Sequence, residues 1–214
     1  MAVTGLILFG FVIVHMLGNL QIFLGQDQLN NYAEHLEELP FLLWPARIFL
    51  LLTLVIHMKV AIQLALENKN ARPIRYAYQD TVQASYASRT MVISGLIIFA
   101  FIVYHLLHFT FDKIHPEFSH LTDPKGRDDV YSMVVLSFRD PLIAGSYILA
   151  MAVLCFHLSH GVSSLLQSLG LNNENLRIRI KWAGNLLAWM IFVGNASMPV
   201  AAFLGILQLP KGVN

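Results

Sequence analysis

The sequence predicts an all-α membrane protein, with five transmembrane helices packed as one bundle over residues 1–214. Three observations carry that prediction. Of the 214 residues, 56% are hydrophobic and 13% charged, and the mean hydropathy is +0.59, too apolar for a soluble domain of this length. Five windows, at residues 3–24, 43–66, 91–111, 142–166 and 182–207, each supply the roughly 20 mostly apolar residues that a spanning helix needs. The first four windows each hold at least one histidine, and ionisable groups inside spans are costly and mark function.

The first window lacks the basic n-region and small-residue cleavage site of a signal peptide, and His15 interrupts its apolar run, so it reads as a retained span. The chain starts almost inside this helix, which leaves room for residues preceding it in the natural protein. With five spans the loops alternate sides. The loop at 67–90 carries Lys69, Arg72, Arg75 and Arg89, and that at 167–181 carries Arg177, Arg179 and Lys181, against the acids Glu67, Asp80 and Glu174. The positive-inside rule puts both loops and the N-terminus in the cytoplasm, as in a multi-pass protein of a bacterial cytoplasmic membrane. On the other side QDQLNNYAEHLEEL, without Lys or Arg, reads as a loop, and the longer segment 112–140 has room for a short interfacial helix at 128–137. No loop is long enough for a catalytic domain, so chemistry beyond the membrane belongs to another chain.

Cys155 is the only cysteine, which excludes an internal disulfide, a CxxC metal site and a cysteine-ligated iron–sulfur cluster. It reads as a small buried apolar residue. A net charge of +1, with no basic run interleaved with aromatics, excludes nucleic acid as a partner.

Of nine histidines, His35, His115 and His120 fall in loops and read as solvated; His15, His57, His105, His108, His157 and His160 lie within spans. TGLILFGFVIVHML, from Thr4, aligns with SGLIIFAFIVYHLL, from Ser94, at seven identities in fourteen positions. Gly5 precedes His15 by ten residues as Gly95 precedes His105. Chance sharing of Leu, Ile and Phe explains part of this; the matched glycine and histidine favour an ancestral duplication. In the second and fourth spans His57 and His157 each stand nine residues before the cytoplasmic end, about 14 Å at the helical rise. His15 and His105 lie close to polar residues at the opposite ends of their helices. The four therefore form two layers, one nearer each face.

Two facing imidazoles at one depth suit a metal between them. Imidazole favours iron, copper and zinc, but two histidines do not complete the shell of zinc, and no carboxylate or thiolate is spaced to help. A b-type haem brings four nitrogens of its own and needs only two axial ligands, so two histidine pairs imply two b haems stacked across the bilayer. With both axial positions filled, such haems move single electrons. Gly10 and Gly18 around His15, and Gly161 after His157, give either room for a macrocycle or close helix packing. His108 and His160 each follow a proposed ligand by three residues and are the alternative ligands on those helices. Repeat register favours His105, and matching depth favours His157. The spare pair is left for a haem propionate, a quinone or a partner helix.

Five spans carrying IVHMLGN, VIHMKVA, IVYHLLHF and CFHLSHGVSSLLQSLG, the last with its His-x12-Gly run from His157 to Gly170, resemble the dihaem cytochrome b subunit of succinate:quinone oxidoreductases and fumarate reductases. The resemblance covers essentially the whole chain as a single transmembrane cytochrome b domain. It implies that His15 and His105 bind the haem farther from the cytoplasm, and His57 and His157 the nearer one. It further implies a flavoprotein subunit whose covalent FAD oxidises succinate and an iron–sulfur subunit that relays the electrons through its clusters. This chain would anchor both, without a succinate site of its own, and pass electrons to a membrane quinone, with menaquinone expected. Membrane lipid surrounds the bundle, and a higher oligomer of the complex is compatible with the pattern. The basic loops at 69–89 and 177–181 would be the docking surface. Cys155 stands where some dihaem fumarate reductases have a glutamate implicated in proton movement, so a proton route of that kind is not expected. Glu37, twenty-two residues after His15, stands where similar proteins place an acid near the outer haem and quinone. Ser85 and Arg89 share a helical face as Ser-x3-Arg, resembling the serine and arginine that related single-haem enzymes use around quinone or propionate.

Two alternatives stay open at this point. One is a cytochrome b anchor for a hydrogenase or formate dehydrogenase. The other is a haem-free transporter with a histidine proton relay, although broken midplane helices expected of such a fold are not evident; Pro199 is the only proline well inside a predicted span.

Overall fold

The computed structural model describes residues 1–71, 86–170 and 174–210. Arg72, Arg75, Asp80 and Ser85, and the side chains of Glu174 and Arg177, lie outside the described residues. In chain order the helices are α1 (Ala2–Asn19), α2 (Gln26–Glu37), α3 (Pro40–Asn70), α4 (Tyr86–Arg89), α5 (Met91–Phe109), α6 (Val130–Arg139), α7 (Pro141–Ser168) and α8 (Glu174–Phe203). Short 3₁₀ turns at Leu20–Leu24 and Pro116–Phe118 punctuate them. Among the described residues five helices are long and apolar enough to span a bilayer: Ala2–Leu24, Pro40–Asn70, Met91–Phe109, Pro141–Ser168 and Ile178–Phe203. The chain is an all-α membrane protein.

Local chemistry sets the helix ends. Asp140 accepts hydrogen bonds from the backbone N–H of Leu142 and Ile143, with Pro141 as the first helical residue of α7. Asp129 caps α6 in the same way through Ser132 N. Gly170 closes α7 at φ +81°, with its N–H donating to Gln167 O at 3.0 Å, a left-handed position that glycine adopts without a Cβ penalty. The His-x12-Gly run therefore measures the distance from His157 to the end of its helix.

Below, the near side is the one at which α1 begins, and the far side the other. The spans alternate in direction: Thr4 and Gly5 at the start of α1 meet His57 in the second half of α3, and Ser94 at the start of α5 meets His157 in the second half of α7. The largest helix pair is α7 with α8; α1 packs on α3, α7 and α8, and α5 on α7 and α3. Small residues permit the approach, as where Gly184 lies against Val162 and Gly194 against Met16. Much of the remaining apolar surface faces outward: Leu51, Leu52, Val55 and Ile56 of α3 are each half exposed or more, an arrangement suited to lipid.

Two features differ from the sequence reading. QDQLNNYAEHLEEL, read as a loop, forms α2 over most of its length, because Leu29, Tyr32, Ala33 and Leu36 fall at helical spacing and Leu29 reaches the core. Arg179 and Lys181, read as loop residues, lie in the first turns of α8. The interfacial helix anticipated at 128–137 is α6, at Val130–Arg139. Together α2 and α6 form a cap on the far side, packed against α3, α7 and α8.

Candidate functional site

On the near side, Thr4 Oγ1 lies 3.1 Å from His57 Nδ1 and Ser94 Oγ lies 3.0 Å from His157 Nδ1. Each histidine rests on the glycine that follows the hydroxyl residue: a Cβ added at Gly5 would stand 3.5 Å from His57 Cε1, and one at Gly95 the same distance from His157 Cε1. His57 and His160 are both within electrostatic reach of His157. Thus α1 and α5, related by the sequence repeat, present the same two-residue cradle to the imidazoles of α3 and α7.

On the far side, the rings of His15 and His105 face each other with centroids 5.8 Å apart and planes at 87°. His15 is exposed and His105 half-buried. Each is backed by a phenylalanine four residues earlier, Phe11 stacked on His15 at 5.3 Å and Phe101 on His105 at 6.0 Å. Those phenylalanines occupy matching positions of the repeat, so the repeat extends from residues to contacts. Tyr147, 6% exposed, places its hydroxyl 3.3 Å from His105 Nδ1 and 2.9 Å from His108 Nδ1.

His108 follows His105 by three residues on α5. It is 2% exposed, stacks on Phe109 at 3.9 Å, and its Nε2 finds no partner among the described residues. His115 lies 5.7 Å from it, ring to ring, and is itself bonded to Glu117 at 2.7 Å, which holds the Glu117 carboxyl below its usual range. His115 is partly exposed, beside the exposed Glu117.

Glu37 ends α2 at the rim of a cavity of about 190 Å³ that Asn30, Ala33, Glu34, Arg127 and Asp128 also line. Partial burial there and the facing Asp128 push its carboxyl above the ordinary value, against the pull of Arg47. Arg89 is exposed at the end of α4, its guanidinium 5.9 Å from the centre of the Tyr86 ring.

No group of three or more His, Cys, Asp or Glu side chains arranged for a bare metal ion occurs among the described residues. The pairs suit a group that supplies its remaining ligands. Two imidazole nitrogens sharing one metal stand about 4 Å apart, from bonds of about 2 Å each, with their ring centres somewhat farther apart. The His15–His105 centroids, 5.8 Å apart, lie close to that separation. Sequence reasoning missed the roles of Thr4, Ser94 and Tyr147; the repeat begins at Thr4 and Ser94, but their histidine partners lie 53 and 63 residues away.

Residues 65–194 match the family model described as the succinate dehydrogenase/fumarate reductase transmembrane subunit. No curated protein and no solved structure matches the chain. The matched region holds His105, His108, His157 and His160 and begins after His15 and His57. Covering more than half of a five-span chain, the match shows that the protein belongs to the family of transmembrane subunits of succinate dehydrogenase and fumarate reductase.

Proposed function

We propose that this membrane subunit carries electrons between an iron–sulfur subunit and a membrane quinone by way of two b haems, one held by His57 and His157 and the other by His15 and His105. The observation that supports the reading most is the far-side pair, where His15 of α1 and His105 of α5 meet with ring centroids 5.8 Å apart; on the near side His57 of α3 and His157 of α7 sit in matching hydroxyl-and-glycine cradles. A haem held by two histidines would pass single electrons. The chain's part is to hold each imidazole in place. Thr4 with Gly5 and Ser94 with Gly95 do so on the near side; Phe11, Phe101 and Tyr147 do so on the far side.

In this reading the near side is cytoplasmic and docks the iron–sulfur subunit, with the FAD-bearing flavoprotein beyond it, against a surface that includes Lys69, Arg89, Arg179 and Lys181. The family match favours those partners over the donors of hydrogenase or formate dehydrogenase anchors. Quinone chemistry needs protons as well as electrons. Glu37, with its raised affinity for a proton, and His108, with a free buried nitrogen, are the candidates on the far side. The Glu37 cavity is smaller than the roughly 300–1,000 Å³ of pockets that enclose a ligand of that size, which suits a proton site beside a quinone rather than its binding pocket. The remaining candidates for quinone contact are Ser85, Arg89 and His160.

Alanine replacement of single ligands tests the proposal. His105→Ala or His15→Ala should remove one haem per chain and spare most of the other, measured as haem extracted from the purified complex. Equal loss of both in every single variant would contradict paired ligation.

A further inference from the structure

The two hydroxyls of the near-side cradle are each bonded twice. Thr4 Oγ1 lies 2.8 Å from Met1 O as well as 3.1 Å from His57 Nδ1, and Ser94 Oγ lies 3.1 Å from Met91 O as well as 3.0 Å from His157 Nδ1. A carbonyl oxygen only accepts, and a hydroxyl has one hydrogen. That hydrogen therefore goes to the carbonyl, and what the hydroxyl offers the imidazole is a lone pair. The imidazole must donate, so Nδ1 carries the proton and Nε2 of the neutral ring is the bare nitrogen. A serine or threonine in a membrane helix commonly bonds back to a carbonyl three or four residues earlier, and that bond alone would explain either residue. It does not explain why both, ninety residues apart at the same repeat position, also meet an Nδ1.

We infer that Thr4 and Ser94 are a matched pair of positioning residues that fix His57 and His157 in the Nδ1–H tautomer, leaving both Nε2 atoms free to bind one near-side haem. The inference rests on the two-haem reading above. It goes further in assigning each repeated helix two duties: α1 and α5 carry the far-side ligands His15 and His105 while orienting the near-side ligands borne by α3 and α7. A hydrogen bond from the second nitrogen of a ligating histidine fixes the ring and raises its basicity. A more basic ligand favours the oxidised iron, so losing the bond raises the reduction potential.

The test is a redox titration of the purified complex, followed by haem absorbance, in Thr4→Val, Ser94→Ala and the hydroxyl-keeping Thr4→Ser and Ser94→Thr. A His105→Ala complex identifies the near-side signal. Thr4→Val and Ser94→Ala should shift the near-side haem to higher potential and weaken its retention roughly 10- to 100-fold. The far-side haem should stay unchanged, although Thr4 and Ser94 share helices with its ligands. Thr4→Ser and Ser94→Thr should behave as the native chain. Should Thr4→Val not assemble, Ser94→Ala, which removes one oxygen atom, decides alone. A native near-side potential in that variant, or equal shifts in both haems, would overturn the inference and leave the two-haem reading standing. A native complex without haem would remove both.

Discussion

Gly5 and Gly95 show how much one missing carbon decides at the residue scale. At either position a Cβ would meet an imidazole carbon at 3.5 Å, an ordinary contact, whereas the branched atoms of a larger side chain have no such room. Gly95→Ala should therefore keep both haems, and Gly95→Val should displace His157 and lose the near-side haem; haem extracted per chain distinguishes them. The glycines chosen from sequence as room for a macrocycle divide differently. A Cβ on Gly18 would stand 2.5 Å from Tyr32 Oη, so that residue serves packing of α2 on α1, while Gly10 and Gly161 meet nothing within 4 Å. Spacing along one helix exposed the histidines and the repeat, but which glycine faces which ring depends on partners in other helices. Glu37 supplies a second prediction at this scale. Glu37→Gln keeps the shape and removes the titratable proton, so quinone turnover should slow with haem content unchanged; unaltered turnover would take Glu37 out of the proton route.

At the scale of elements, the far-side cap is held by a buried polar network. Asn30, with 0% exposure, donates to Asp129 at 3.0 Å and to Asp123 at 3.3 Å while accepting from Tyr131 N at 2.9 Å, tying α2 to α6. Arg127 joins the same cluster through Asp123 at 2.6 Å and Asp27 at 2.7 Å. Burial alone would raise the Asp123 carboxyl, but the Arg127 side chain, with Asn30 and backbone N–H groups, holds it down at about 2. A carboxyl lowered on folding stabilises the folded state above its unfolded pKa of about 4 and ceases to do so as pH falls through the folded value. The cap should thus stay closed to about pH 4 and loosen toward pH 2, and Arg127→Gln should move that loss to higher pH, as read by amide hydrogen exchange of α2. The short helix at 128–137 was legible beforehand, but α2 and the network that joins the two were not. The polar run at 26–37 holds only four apolar positions at helical spacing, and the residues that make it a helix cap lie about a hundred positions later.

For the whole molecule, composition and five apolar windows were enough to specify an all-α membrane bundle, because a bilayer admits few other backbones. The order of the helices around one another was not legible, since lipid-facing and helix-facing positions are almost equally apolar in α1, α3 and α5. Sequence repeat and helix packing converge here: α1 with α3 and α5 with α7 present the same hydroxyl and glycine contacts to a histidine twice, the doubling on which the proposed two layers rest. In the proposed function, haems held at two such layers would give electrons a route between the faces of the bundle. The most direct measurement is a reduced-minus-oxidised spectrum of the purified complex with pyridine haemochrome quantitation, normalised to this chain. The paired-histidine account predicts two b haems per chain; a preparation with an intact five-helix subunit and no haem would contradict it.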